Sequence, residues 1–287
     1  MSPQASRYLT LALKAGVYAL FAIVLLTFLP SLLLPVMGYL ATAALGTFAA
    51  AAIANALALQ IYEQKTLASI GLFWNPASRR NLSVGLLGGI GAALAVLLLP
   101  VIARASDLEP VPNEHFRWPS LLFVSIILLF GAIGEEMLFR GYAFQILLGP
   151  VGPFATILPV AVLFGFAHIN NQNVTTVGIA NTMLWGVLFG YAFLLSGDLW
   201  LPIGLHFGWN WTLPLLGVNL SGFTMNVTGY AMHWRIGVLW SGGAYGPEGG
   251  LLGTIVLIVL FFCLRKAPIL RQSPPLVKGL STYGFPG

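Results

Sequence analysis

Charge is what this chain has least of. Asp, Glu, Lys and Arg make up 7% of its 287 residues, where a soluble domain carries about 25%. With 58% of residues hydrophobic, that scarcity excludes a solvated globular surface and describes a polytopic membrane protein. Cysteine is nearly missing too: the single Cys263 can form no intrachain disulfide and no cysteine-cluster metal site. Several chemical signatures are absent. There is no HExxH and no GxSxG-type serine motif, and Ser196-Gly197-Asp198 lacks the first glycine of an aspartyl GxGD. Gly89-Ile90-Gly91 has no third glycine and follows no strand, which removes a dinucleotide fingerprint. The net charge of +5 is spread over the ends of apolar segments. It signals membrane orientation and attraction to anionic lipid, and no nucleic-acid surface.

What the chain has in quantity is long apolar runs. Eight approach the roughly 20 residues a span needs: 14–34, 38–60, 83–103, 119–147, 154–169, 174–196, 200–217 and 249–266. The fold class that follows is an all-α membrane protein, a bundle of eight transmembrane helices. Arg7 and Lys14 before the first run resemble a signal peptide, but the run is too long and more follow, so it reads as an uncleaved first span. With the N-terminus inside, ten Lys and Arg fall on the inner side, from Arg7 to Lys278, and only Arg104, Arg117 and Arg235 on the outer side. This positive-inside bias places both termini in the cytoplasm. The chain divides into an N-terminal three-helix membrane region (1–118), a core (119–217), and an outer loop, last helix and tail (218–287). Gly85 and Gly89, four apart, suit close helix approach. The loop 217–250, with His233, Arg235 and Glu248, suits an interfacial aromatic belt and shows nothing specific for a lid. Asn226-Val227-Thr228 matches a glycosylation acceptor, relevant only in a eukaryotic secretory route. The tail, with Pro274-Pro275, reads as disordered.

Inside the fourth run stands Gly134-Glu135-Glu136-Met137-Leu138-Phe139-Arg140. Ionisable residues in lipid are costly and are functional-site candidates by default. Glu136 and Arg140, four apart, share a helix face and can pair. Glu135 points ~100° away and has Leu138 and Phe139 at its own i+3 and i+4 positions, so it has no partner on its helix. An unpaired carboxylate in apolar surroundings suits proton transfer. The structural alternative is that all three charges form an interhelical network.

Two more runs carry histidines. Phe164 and His168 end the fifth; His206 and Asn210 share a face of the seventh. The fitting chemistry is water activation beside a carbonyl. Glu135 serves as general base, with His168 sharing or orienting the water. His206 and Asn210 donate to the oxyanion, and Glu136–Arg140 brace the helix. At about 1.5 Å per residue, Glu135 and Asn210 come out roughly 15–18 Å deep, His206 shallower and His168 deeper, about 21 Å. The four converge only if the short fifth segment tilts or starts deeper. No metal or other cofactor is expected; zinc through Glu135, His168 and His206 is the alternative, since the residue types suit it and the spacing does not.

Together, Glu135-Glu136-x-x-x-Arg140, Phe164-x-x-x-His168 and His206-x-x-x-Asn210, the last preceded by Leu199-Trp200-Leu201-Pro202-Ile203-Gly204-Leu205, resemble the three ordered motifs of the CAAX prenyl protease 2 family. Its bacterial CPBP branch is also called lysostaphin-resistance-protein-A-like or Abi. The resemblance covers about 119–217. It implies an eight-helix intramembrane endopeptidase with a catalytic cavity open towards the cytoplasmic side, Glu135 as base, His168 assisting, and His206 and Asn210 as oxyanion donors. It also implies a membrane-associated protein as substrate, CaaX-like or lipidated in eukaryotic members, and a bacterial plasma membrane as the location, given the compact loops. Two other classes stay open: a non-catalytic scaffold or immunity protein, and a proton-coupled transporter, against which the lack of an internal repeat counts.

Overall fold

The computed structural model describes residues 2–277; Lys278, counted above among the inner basic residues, lies outside them. The chain order is α1 (Pro3–Tyr62), α2 (Pro76–Ile102), β1 (Ser106–Pro110), α3 (Trp118–Arg140), α4 (Tyr142–Val151), α5 (Pro153–Phe166), α6 (Thr176–Ser196), α7 (Trp200–Leu215), β2 (Tyr230–Trp234), α8 (Val238–Ser241) and α9 (Leu251–Leu264). It is an integral membrane protein. Pro3–Tyr62, Pro76–Ile102, Trp118–Val151 and Thr176–Ser196 are long and apolar enough to span, and Pro153–Phe166 and Leu251–Leu264 are shorter apolar helices. The helical content agrees with an eight-helix count once α1 is divided, α3 and α4 are taken as one span and the one-turn α8 is left out. Gly38 sits in it at φ 72° and ψ 174°, a conformation that favours glycine, and Pro30 and Pro35 precede it. The two arms fold back on each other: Lys14 meets Glu63 at 2.7 Å and Asn55 meets Tyr18 at 3.2 Å.

The fourth apolar run is not one helix. It breaks at Gly141, whose ψ of −136° leaves the helical region, and restarts as α4. α4 and α5 then form a helical hairpin. The break frees the carbonyl of Met137 and the amide of Tyr142. Asn55 of α1 serves both, donating to the Met137 carbonyl at 2.9 Å and accepting from the Tyr142 amide at 2.7 Å. Gln145 donates to the Arg140 carbonyl at 2.8 Å. Broken helices persist in membranes only when the freed backbone groups find such partners.

The small-residue expectation for α2 is met on α7. A Cβ on Gly85 would lie 3.1 Å from Gly204 Cα, and one on Gly89 3.1 Å from Gly208 C. The two helices touch backbone to backbone there, so α2 sets the position of the helix that carries His206 and Asn210.

One expectation is corrected. The tail is ordered through residue 277. Asn81 and Leu270 exchange hydrogen bonds at 2.8 and 2.9 Å, Gln272 donates its amide to the Ser196 carbonyl at 2.7 Å and its side chain to Asp198, and Leu276 is buried. Asp198 also caps α7 through the amides of Trp200 and Leu201; burial pushes its carboxyl above the usual range, against the pull of these donors. Proline content suggested disorder, but these long-range polar partners are invisible to composition. The loop 217–250 is structured. β2 pairs antiparallel with β1, Ser106 opposite Trp234 through Pro110 opposite Tyr230, and the rest packs over the helix ends.

Candidate active site

The last turns of α3 carry both glutamates. Glu136 and Arg140 are fully buried and paired at 3.2 Å. Arg140 also donates to the Gly186 carbonyl of α6 at 2.9 Å. Its guanidinium lies 4.7 Å from the Phe164 ring centroid, 5.2 Å from Phe189 and 5.8 Å from Phe139, an aromatic cage that suits a weakly hydrated cation. The second partner of Glu136 comes from α7: His206 Nδ1 stands 2.9 Å from the same carboxylate. Because a carboxylate only accepts, Nδ1 carries the proton.

Glu135 faces the other way. It is 28% exposed, and its Oε2 has no hydrogen-bond partner in the protein. That oxygen lies 3.8 Å from His206 Nε2 and 3.9 Å from His168 Nε2. Both distances are too long for a direct hydrogen bond and suit one small bridging molecule.

His168 reaches this level in a way that depth arithmetic missed. α5 stops at Phe166, and His168 sits in the following turn, with Nδ1 2.8 Å from the Phe164 carbonyl. A carbonyl only accepts, so Nδ1 carries a proton and Nε2 is the nitrogen turned towards Glu135. The α4–α5 hairpin answers the depth problem: α4 descends about 15 Å beyond Gly141 and α5 climbs about 21 Å back.

Glu135, His168, His206 and Asn210 all line one cavity of about 430 Å³. Its walls also include Leu26 and Tyr39 of α1 and Leu220, Met225 and Glu248 of the outer loop. None of the lining residues comes from the face that carries Lys65, Arg80 and the docked tail. The cavity extends towards the face of loop 218–250, which supplies Leu220, Ser221, Phe223, Met225 and Glu248 to its walls.

The structure adds residues that spacing did not single out. Phe189 stacks on His206 at 4.8 Å and 16°. Gly186 allows α6 to approach α5, since a Cβ there would meet Ala161 Cα at 2.7 Å. Glu248 accepts from Trp209 Nε1 at 3.0 Å. A buried aromatic beside a histidine leaves no sequence signal in a chain this apolar.

One carboxylate and two imidazoles, each held through Nδ1, is chemically a zinc-type donor set with the usual outer-shell support. As placed, however, no group of three or more His, Cys, Asp or Glu among the described residues could hold a metal ion.

No curated protein and no solved structure matches the chain. Residues 117–212 match the family model for type II CAAX prenyl endopeptidases, Rce1-like. That match begins at the residue before α3 and ends two residues past Asn210, so it takes in all three motifs and every polar side chain around Glu135. Through this segment the chain is similar to the CAAX protease/CPBP family.

Proposed function

We propose that the protein is an intramembrane endopeptidase that hydrolyses a peptide bond of a membrane-associated protein, with Glu135 activating water. The observation that carries this reading is the unpartnered Glu135 Oε2 at 3.8 and 3.9 Å from two imidazole nitrogens, on the wall of a cavity within the helices. A water between these groups gives its proton to Glu135 while its oxygen attacks the peptide carbonyl. His168 Nε2 accepts from the same water and holds it in line. The carbonyl oxygen becomes an oxyanion facing His206 Nε2–H and the Asn210 amide. With Nδ1–H committed to Glu136, an Nε2 proton makes His206 an imidazolium, and Glu135 and Glu136 then balance Arg140 and His206. As the C–N bond breaks, the proton held on Glu135 passes to the leaving amine. Phe164, Phe189 and Arg140 keep Glu136, and through it His206, in place.

Mass spectrometry of membrane-protein C-termini, in source cells with wild type or Glu135→Gln at equal expression, tests the reading. New termini lost in the variant support it. Identical profiles with both proteins folded would favour a non-catalytic scaffold. In a purified assay, Asn210→Ala is expected to lower kcat by about 10²-fold with little change in KM, because the oxyanion forms only in the transition state. An unchanged kcat would remove Asn210 from the mechanism.

We propose that this hydrolysis runs without a metal. A zinc chelator, applied and then removed, is expected to leave cleavage within about twofold. Loss of activity that zinc restores would instead assign Glu135, His168 and His206 as ligands, with zinc supplying a more acidic water.

A further inference from the structure

We infer that Glu248 of the outer loop is a positioning residue for the oxyanion donors, acting through Trp209 to fix where His206 and Asn210 stand. The inference rests on the peptidase reading above. Glu248 is 7% exposed, although it lies in a loop and beyond the segment that matches the family model. One carboxylate oxygen accepts from Trp209 Nε1 at 3.0 Å, and the other from the Ser221 amide and hydroxyl, both at 2.7 Å. Hydrogen bonds to an ionised group are stronger than neutral ones, and three of them on one carboxylate fix its geometry. The backbone that carries Glu248 is anchored in turn. Asn181 of α6 donates to the Glu248 carbonyl at 2.7 Å and to the Gly250 carbonyl at 3.0 Å, and its own oxygen accepts from Thr254 of α9 at 2.7 Å. Glu248 is therefore tied to α6 and α9, and what it grips is α7.

Trp209 is the residue before Asn210 and lies one helical turn from His206. From its ring a run of aromatic contacts returns to that histidine. Trp209 meets Trp185 at 4.9 Å, Trp185 stacks on Phe189 at 5.1 Å, and Phe189 stacks on His206 at 4.8 Å. Such ring pairs have preferred geometries, so a turn of one ring is felt by the next. On the side away from the cavity, α2 abuts the same point of α7: a Cβ on Gly89 would lie 2.7 Å from the Trp209 nitrogen. Backed by α2 and gripped by Glu248, the helix cannot turn at Trp209, and that fixes the direction of the Asn210 amide. An indole nitrogen only donates. Without Glu248 it would be buried and unpaired, a state that drives the ring to move towards another acceptor.

The test is a double-mutant cycle on the full chain in lipid nanodiscs, with a quenched fluorogenic peptide ending in a farnesylated CaaX sequence as probe. Trp209→Phe and Glu248→Ala are each expected to lower kcat about tenfold, the effect of a small misplacement. KM should stay within about twofold, because the oxyanion exists only in the transition state. The double variant should fall no more than about twofold below either single one, since both remove the same bond. Losses that multiply to about hundredfold overturn the inference, for Glu248 would then act by its charge or through Ser221. A change in KM with kcat intact overturns it too. So does an unchanged kcat in Trp209→Phe, which keeps a ring at the site and decides the matter even if Glu248→Ala does not fold. A second readout needs no substrate. With 5-fluorotryptophan incorporated, Glu248→Ala should move the fluorine resonances of Trp209 and Trp185. Those of Trp74 and Trp200, which pack on each other elsewhere, should stay. An unmoved Trp185 resonance overturns the run of rings. Failure of wild type to cleave the probe counts against the peptidase reading alone, and the fluorine shifts still decide whether Glu248 sets Trp209.

Discussion

Glu135→Gln is expected to lower peptide hydrolysis by about 10³-fold, the weight of a general base, while the protein folds as before. The neighbouring Glu136→Gln is expected to lose both. The two side chains are chemically identical and one position apart, so the difference comes wholly from surroundings. Glu135 is 28% exposed and its Oε2 makes no hydrogen bond in the protein. A glutamine there keeps the shape, removes the base, and shifts stability by no more than about 0.5 kcal/mol, as at sites outside a polar network. Glu136 is fully buried between Arg140 and His206, at 3.2 and 2.9 Å. Neutralising it strands a guanidinium that retains one carbonyl and three aromatic rings. Breaking a buried pair in this way costs about 3–5 kcal/mol. Thermal unfolding in detergent, run beside a cleavage assay, separates the two. If Glu135→Gln unfolds as Glu136→Gln does, Glu135 belongs to the structural network and the catalytic reading falls.

That pair of glutamates also marks how far the sequence could be read. The i, i+4 relation of Glu136 to Arg140 is local, so helix geometry alone predicts it, and the structure has it at 3.2 Å. Apolar length likewise predicts the helices, because lipid leaves the backbone few alternatives. What crosses between helices was not legible. The 2.9 Å contact of His206 with Glu136 joins residues 70 apart, and nothing in either motif announces the other. His168 came out too deep because the fourth run was taken as continuous. A break at Gly141 and a return through a short α5 depend on what α1 offers the broken backbone, which is tertiary information. The docked tail was missed for the same reason, and Glu248 went unnoticed beside the cavity: Gln272 and Glu248 look like ordinary loop residues until Asp198 and Trp209 are beside them.

Asn55→Leu should therefore be among the most damaging substitutions outside the motifs. Asn55 is fully buried, and its side chain both donates and accepts. It gives one N–H to the Met137 carbonyl at 2.9 Å and another to the Ala51 carbonyl at 2.8 Å, and its oxygen takes the Tyr142 amide at 2.7 Å. Leucine has similar volume and none of these groups. Tyr142 N–H would be left unpaired inside the bundle, and Met137 C=O would keep only the longer contact with the Tyr18 hydroxyl, at 3.3 Å. At about 1–3 kcal/mol for each buried group left unsatisfied, the loss comes to roughly 2–5 kcal/mol. Asn55→Asp should not rescue it. A carboxylate could still accept from Tyr142, but it would face the Met137 and Ala51 carbonyls with no proton to offer. Unfolding of the two variants in detergent, each compared with wild type, checks the order. Wild-type stability in Asn55→Asp would mean that acceptance from Tyr142 alone holds the break. Since Glu135 and Glu136 lie within six residues of Gly141, whichever interaction holds that break also sets where the two carboxylates point.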